Sequence, residues 1–198
     1  MCDTCLRAQR ACICRWIAAV SNSVEVLILQ HPMEVANAKG SARLLHLSLS
    51  NSRMVAGEQF APAELAALLS PDRASVLLYP ATVAGHAPEL IAPPPFDPAL
   101  AAQPERLRLV VLDGTWRKSR KMLYLNPLLQ TLPRLPLRDT PPSHYLIRKA
   151  HLPDQLSTLE ATCYALAQLE RTDGDGFSPL IAAFDGFVAQ QSSFAPPR

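Results

Sequence analysis

The chain contains 198 residues, 48% of them apolar, and its 19 basic and 17 acidic side chains give a formal net charge of +2. This length and apolar content predict a single domain with a substantial core, and the lack of any run of about 18 apolar residues excludes a membrane-spanning helix. With so little net charge, a nucleic-acid partner would have to bind to a local basic patch. The first residues, MCDTCLRAQR, are polar and cysteine-rich and do not resemble a signal peptide, so we expect a cytoplasmic protein.

A cluster of four cysteines begins the chain, in the segment CDTCLRAQRACIC. The spacing is CxxC, six residues and then CxC, which lets four thiolates converge on one tetrahedral zinc ion. Two disulfides or four idle thiols are the alternatives. A cytosolic chain disfavours disulfides, and four unpaired, exposed thiols would be prone to oxidation. We predict a structural zinc knuckle at residues 1–20, without a catalytic role because four protein ligands leave no open position. The predicted ligands are Cys2, Cys5, Cys12 and Cys14.

Apolar runs and amphipathic stretches alternate through residues 21–198, which we take as the main domain. The longer strands are apolar nearly throughout, as in a parallel sheet that is covered by helices on both faces. The alternation therefore predicts an α/β fold with a mostly parallel sheet. Strands are predicted at 24–30, 75–80 and 107–113, with shorter ones at 132–137 and 144–148. Helices are predicted at 35–49, 61–69, 115–125, 156–170 and 179–191.

Distinctive residues follow three of these strands, in the segments QHPME, LYPAT and LDGTW. Ligands of such folds bind beyond the carboxyl ends of the strands, so these segments are the candidate site. Neither GxGxxG nor GxxxxGK[ST] occurs, which argues against a dinucleotide-binding fold and a P-loop ATPase. The GxSxG motif of a hydrolase nucleophile elbow is also absent from the sequence.

The motif Asp113-Gly114-Thr115-Trp116 resembles the DxTW signature of the DTW-domain proteins. The resemblance runs along nearly the whole chain, from the cysteine knuckle through QHPME, LLYP and LDGTWRKSRKML to YLIRKA and LSTLEA. It implies a relationship to the SPOUT methyltransferases and a C-terminal trefoil knot, in which residues 156–170 pass through the loop ahead of them. It also implies that the family's reaction moves the 3-amino-3-carboxypropyl group of S-adenosylmethionine to N3 of a tRNA uridine, which releases methylthioadenosine.

Two other functions remain open at this stage. A SPOUT-like RNA methyltransferase would bind the same S-adenosylmethionine but transfer its methyl group. A non-catalytic zinc-knuckle protein would bind RNA without turnover. In each case the expected partner is RNA, no membrane is involved, and the sequence does not decide between a monomer and a dimer.

The resemblance gives Asp113 a chemical role, because uridine N3 must lose a proton before it attacks. As a general base, Asp113 would accept that proton; as a helix N-cap, it would only stabilise the helix that follows. Trp116 would either stack on a base or on the adenine, or belong to the core. The resemblance also implies that the LSTLEA segment borders the donor pocket. The residues predicted for the substrate and donor pocket are His31, Glu34, Pro80, Gly114, Thr115, Trp116, Arg148, Thr158 and Glu160.

Several of these residues have simpler explanations. His31 and Glu34 could be exposed polar groups of a proline-fixed turn, and Glu160 could complete a helix capping box. Arg148 could pair with the donor carboxylate or with a tRNA phosphate.

The helix after Trp116 carries a run of basic side chains with no acid between Thr115 and Asn126, so nothing nearby in the sequence neutralises them. They would contact tRNA phosphates or form a solvated face. The four are Arg117, Lys118, Arg120 and Lys121.

Overall fold

A five-stranded, all-parallel sheet forms the centre of the structure, a computed structural model that describes residues 1–80, 92–138, 140–143, 156–172 and 175–194. The strand order is β2-β1-β4-β3-β5. The sheet consists of β1 (Glu25–Gln30), β2 (Ser52–Ala56), β3 (Ala74–Leu78), β4 (Leu107–Asp113) and β5 (Arg134–Leu135).

Seven α-helices accompany the sheet in the described part of the chain. They are α1 (Pro32–Val35), α2 (Ala42–Ser48), α3 (Pro62–Leu68), α4 (Trp116–Leu125), α5 (Pro127–Gln130), α6 (Thr158–Glu170) and α7 (Ser178–Ser193). Short 3-10 helices occur at Gln9–Ala11, Cys14–Trp16, Pro98–Ala102, Pro104–Arg106 and Asp175–Phe177.

The predicted α/β fold is confirmed, with differences in detail. The predicted helix at 35–49 is wrong in extent, because α1 begins at Pro32 and a separate helix begins at Ala42. Proline fits the first turn of α1, where its missing N–H leaves no bond unmade. The edge strand β2 was not predicted, since its exposed and half-buried residues lack a continuous apolar run. The predicted strand 144–148 lies outside the described residues.

Alternate residues of the central strands face two separate apolar layers. Val26 and Ile28 of β1 pack in a cluster with α2, α6 and α7, whereas Leu27 and Leu29 pack in a second cluster with α3, α4 and α5. Because side chains alternate across a strand, helices on both faces need strands that are apolar throughout. That requirement accounts for the fully buried sequence of β4.

Strands β1 and β4 are neighbours whose following connections leave in opposite directions. From β1 the chain continues to β2 on one side, and from β4 it continues to β5 on the other. In open α/β sheets this switch point creates a crevice outside the carboxyl ends of the two strands. Gln30 and Asp113, the last residues of β1 and β4, are paired in register there.

The N-terminal cysteine segment packs against α7. Cys5 and Ile13 are buried in the same cluster as Phe187, and Trp16 donates to the side-chain oxygen of Gln190. A Cβ atom at Gly186 would lie 2.1 Å from the Trp16 ring, so only glycine allows this approach. No helix in the described ranges is long and apolar enough to span a membrane.

Candidate functional site

Asp113 lies at the switch point, at the carboxyl end of the central strand, and is 5% exposed. One carboxylate oxygen accepts a 2.9 Å hydrogen bond from the Gln30 amide, and the other accepts a 2.7 Å bond from the Thr158 hydroxyl. Its backbone carbonyl accepts from the amide of His31. The carboxylate is thus fixed by three parts of the chain, namely β1, β4 and the start of α6.

The helix-capping alternative for Asp113 is wrong. Thr115 is the N-cap of α4, and its hydroxyl accepts from the backbone amide of Lys118 at 3.4 Å.

A chain of polar contacts joins the end of β1 to α4. The amide of Met33 donates to Nδ1 of His31, so the imidazole carries its proton on Nε2, which lies 2.8 Å from Glu58. Lys121 pairs with the other oxygen of Glu58 at 2.8 Å. Hydrogen bonds from Lys121 and His31 lower the pKa of the Glu58 carboxyl. The buried Glu34 carboxylate pairs with Lys118 at 2.8 Å.

These contacts revise the prediction for the basic helix. Acids from distant parts of the sequence neutralise Lys118 and Lys121. The basic side chains of α4 therefore lack acidic neighbours in the sequence, but two of them have acidic partners in the structure. Arg117 and Arg120 are exposed and have no ion-pair partner in the part of the chain that the structure describes. The exposed, unbalanced charge of α4 therefore belongs to its two arginines.

Trp116 is 55% exposed, which rules out the core alternative. Its ring meets Tyr79 edge to face, with centroids 5.9 Å apart. Burial raises the pKa of Tyr79. Gly114 allows the DGTW turn to pack closely, since an added Cβ would lie 3.1 Å from Lys118 Cβ. The exposed indole face is thus held in place by a buried tyrosine and a tight turn.

The start of α6 closes the other side of the site. Ser157 and Glu160 form the capping box that the sequence predicts, and Glu160 also accepts from Ser143. The amide of Leu159 donates to the hydroxyl of Ser41 at 3.3 Å, which ties α6 to α2. The box orients the first turn of α6, and this orientation directs the Thr158 hydroxyl towards Asp113.

Arg134 is a residue that sequence reasoning missed. It is 6% exposed, and its guanidinium carbon lies 5.3 Å from the centroid of the Tyr79 ring. Nη1 donates to the carbonyl of Pro80 at 3.3 Å, while Nε and Nη2 are buried without any hydrogen-bond partner among the described residues. The sequence signal was an arginine inside the apolar segment LPRLPL.

The four cysteines of the knuckle converge, with all four sulfur atoms within 4.8 Å of one another. Cys2 and Cys14 sulfurs are 3.5 Å apart, and those of Cys5 and Cys12 are 3.8 Å apart. Tetrahedral zinc with bonds of about 2.3 Å requires sulfur separations of about 3.8 Å, whereas a disulfide requires about 2.05 Å. The residues therefore fit a zinc ion.

The protonation of two of these thiols differs. Hydrogen bonds from the backbone amides of Cys5 and Thr4 lower the pKa of Cys2 to about 6, so this ligand is largely thiolate at neutral pH. Burial and the neighbouring thiols raise the pKa of Cys14 to about 12. Metal binding deprotonates a coordinating thiol outright, so the raised value does not oppose coordination.

The structure therefore brings together most of the predicted site residues. His31, Glu34, Asp113 and Thr158 lie together at the carboxyl ends of β1 and β4, and Pro80 follows β3 at the same end of the sheet. Arg148 lies outside the described residues. Besides Arg134, the residues that the sequence did not single out are Gln30, Glu58 and Tyr79, each of which contacts a predicted residue.

Comparisons with known proteins agree with this picture. A sequence model of the DTW domain matches residues 1–192. The chain is 28% identical over 179 residues to tRNA-uridine aminocarboxypropyltransferase 2 of Mus musculus. The aligned residues cover 87% of this chain and 57% of that protein. The Drosophila melanogaster protein of the same name is 29% identical over 177 residues, or 85% of this chain and 66% of the relative.

A plant relative is also similar. The chain is 27% identical over 133 residues to tRNA-uridine aminocarboxypropyltransferase A of Arabidopsis thaliana, covering 62% of this chain and 50% of that protein. The chain thus spans little more than half the length of its mouse relative. No solved structure matches it.

Proposed function

Since the chain belongs to the DTW domain family, we propose that it is a tRNA-uridine aminocarboxypropyltransferase. It transfers the 3-amino-3-carboxypropyl group of S-adenosylmethionine to N3 of a tRNA uridine and releases methylthioadenosine. The names of relatives at 27–29% identity support the reaction class. The observation that carries the proposal is the buried Asp113 carboxylate, held by Gln30 and Thr158 at the switch point of the sheet.

In this proposal Asp113 accepts the N3 proton of the uridine as general base. The N3 electron pair then forms a bond to the γ carbon of the donor's amino-acid arm. The bond between that carbon and sulfur breaks, its electron pair stays on sulfur, and the positive charge of the sulfonium disappears. The donor supplies an activated leaving group, so the protein's main tasks are to remove one proton and to align two reactants.

The tRNA binds on the side of α4. Trp116 presents an exposed aromatic face on which a splayed-out base can stack, a common mode of recognition for unpaired RNA bases. Arg117 and Arg120 supply exposed positive charge one and four residues further along the helix. Phosphate contacts of this kind orient the RNA without reading its sequence.

Two further parts of the proposal concern the architecture. The cysteine cluster holds a structural zinc ion that orders the N-terminal segment against α7. The chain returns from the edge strand β5 to the central strand, where Thr158 contacts Asp113, and we propose that this return forms the SPOUT-like trefoil knot. The segment that would form the loop, 144–155, lies outside the described residues.

The test is an incubation of the purified protein with tRNA and S-adenosylmethionine, followed by mass spectrometry of the nucleosides. We expect a uridine that is heavier by one aminocarboxypropyl group, together with released methylthioadenosine. A methylated uridine together with S-adenosylhomocysteine would instead identify a methyltransferase. Binding of tRNA with no change in any nucleoside would identify a non-catalytic RNA-binding protein.

A further inference from the structure

Arg134 has a distinctive hydrogen-bond pattern. The guanidinium is buried near the carboxyl ends of the strands, and its Nη1 group donates a hydrogen bond to the Pro80 carbonyl. Nε and Nη2, which lie on one edge of the planar group, have no partner in the described ranges. Buried polar groups nearly always have partners, and a buried charge without one is strongly unfavourable, so this edge is suited to an anionic ligand.

The free edge also specifies the shape of that anion. The parallel N–H groups of Nε and Nη2 form a fork that matches the two oxygens of a carboxylate, whereas a lysine would offer only a point charge. The Tyr79 ring supports one face of the guanidinium, and Trp116 continues the aromatic wall towards solvent. Because Arg134 is 6% exposed, its ligand has to be a small group that enters a pocket, not a polynucleotide backbone that lies along a surface.

The register of the sheet places this fork near the proposed reaction centre. Leu77 is paired with Val110 on one side and with Arg134 on the other. Pro80 lies two residues beyond the end of β3, and its carbonyl accepts from Arg134, so the guanidinium reaches past the carboxyl end of that strand. Arg134 is level with Val110, so its backbone lies two strand spacings across the sheet and three residues before Asp113, roughly 14 Å away. The two side chains leave opposite faces of the sheet towards the same carboxyl ends of the strands.

We propose that Arg134 binds the α-carboxylate of the aminocarboxypropyl donor through a bidentate ion pair. This inference rests on the proposed function, which requires a donor with a carboxylate at the end of the propyl chain that is transferred. Anchoring that end would fix the direction of the chain and present its reacting γ carbon to the uridine beside Asp113. A donor without the carboxylate would lack this anchor.

The experiment measures the affinity of three nucleosides for the wild-type protein and for Arg134→Gln. They are S-adenosylmethionine, its decarboxylated analogue, and methylthioadenosine, which lacks the whole amino-acid arm. We expect the wild-type protein to bind S-adenosylmethionine roughly 10- to 100-fold more tightly than the decarboxylated analogue, the range for hydrogen bonds to charged groups. In Arg134→Gln this preference should disappear, while the affinity for methylthioadenosine stays unchanged.

Two further variants complete the design. Arg134→Lys keeps the charge but not the fork, so it should recover only part of the preference. Arg106→Gln is the matched control. Arg106 is an exposed arginine just before β4, at the amino ends of the strands, so its loss should leave all three affinities unchanged. If Arg134→Gln does not fold, the comparison of the two donors on the wild-type protein still tests the carboxylate contact.

Three outcomes would overturn the inference. The first is equal binding of both donors by the wild-type protein. The second is an equal weakening of all three nucleosides in Arg134→Gln, which would make Arg134 part of the site's structure only. Loss of tRNA affinity with unchanged donor preference would instead assign the fork to a phosphate. An Arg134-dependent preference in a protein that makes methyluridine would refute the proposed function and leave this inference standing. Aminocarboxypropyl transfer without that preference would support the proposed function and refute this inference.

Discussion

At the scale of single residues, the site depends on a carboxylate whose orientation is set by its neighbours. Gln30 donates to one oxygen of Asp113 and Thr158 donates to the other. Both donors are held in turn, since Gln30 ends the buried strand β1 and Thr158 begins the capped helix α6. A general base is effective only when its geometry is fixed relative to the proton it removes.

Changing Asp113→Asn should reduce the transfer rate by roughly 100-fold or more, the usual contribution of a general base. The amide can still accept from Gln30, and it can donate to the Thr158 hydroxyl, so the fold should persist. Affinities for S-adenosylmethionine and tRNA should stay within a few-fold of the wild type. Raising the pH should partly restore the rate, because hydroxide can then ionise N3. Single-turnover kinetics across a pH range provide the measurement.

Thr158→Val is the control variant, because it changes how Asp113 is positioned but keeps the carboxylate itself. It removes the 2.7 Å hydrogen bond to Asp113 and nearly preserves side-chain shape, so the rate should fall much less than in Asp113→Asn. If Asp113→Asn instead abolishes donor binding, Asp113 builds the pocket and is not the base.

At the scale of elements, α4 is divided between internal and external charges. Lys118 and Lys121 neutralise Glu34 and Glu58 from the segments after β1 and β2, so they hold α4 against the crevice. The side chain of Asn126 adds to this attachment, because it donates to the carbonyl of Glu58 and accepts from the amide of Phe60. The arginines of the same helix remain directed towards solvent.

This division predicts different effects for the two kinds of basic residue. The double change Arg117→Gln and Arg120→Gln should weaken tRNA binding and reduce the slope of its salt dependence, because phosphate contacts release counterions. Donor affinity should not change. Lys118→Gln should reduce stability through the buried Glu34 and affect the salt slope less. Filter-binding titrations at several salt concentrations measure both effects, and an unchanged slope in the double variant would place the RNA elsewhere.

The contact between the knuckle and α7 gives a second prediction for an element. Gly186→Ala puts a methyl group 2.1 Å from the Trp16 ring, so the segment must move away from the helix. We expect destabilisation of about 1–3 kcal/mol, typical of overpacking, despite the better helix propensity of alanine. Gly176→Ala is the control, since its nearest neighbour would be 3.6 Å away. Denaturant unfolding followed by Trp16 fluorescence, in a Trp116→Phe background, reports the difference.

At the scale of the whole molecule, the cysteine knuckle and the sheet share one core. Cys5 and Ile13 are buried in the cluster that also contains Val26, Leu109 and Phe187. The knuckle also contacts the loop between α1 and α2, because Arg7 donates to the carbonyl of Gly40 at 2.7 Å. A metal ion that orders residues 1–20 would therefore affect the stability of the entire molecule.

Elemental analysis should find one zinc ion per chain. Removing it with a chelator, or changing Cys12→Ser, should lower the melting temperature of the whole protein, because Ile13 and Cys5 would leave the shared core. Cys163→Ala should retain the metal, since Cys163 lies buried in α6 and away from the cluster. Protein purified anaerobically without bound zinc would contradict the prediction.

Much of this protein was determined by its sequence alone. The run 107–113, apolar except for Arg108 and Asp113, predicts a strand covered on both faces, and the CxxC and CxC spacing brings four thiols together locally. The capping box of α6 is likewise a local pattern, satisfied within one turn. In each case the residues that interact are close in sequence, or a single strand carries the whole signal.

Only the tertiary structure decided which distant residues meet. The strand order makes Gln30 and Thr158 neighbours of Asp113 across 83 and 45 positions, and no pattern along the chain encodes that pairing. The fold also brings Glu34 and Glu58 to the basic helix α4. The charges of Lys118 and Lys121 are therefore neutralised in the structure, although no acid lies near them in the sequence. Arg134 in LPRLPL gave no sign of being buried with one edge unpaired, because burial depends on which elements pack around a side chain.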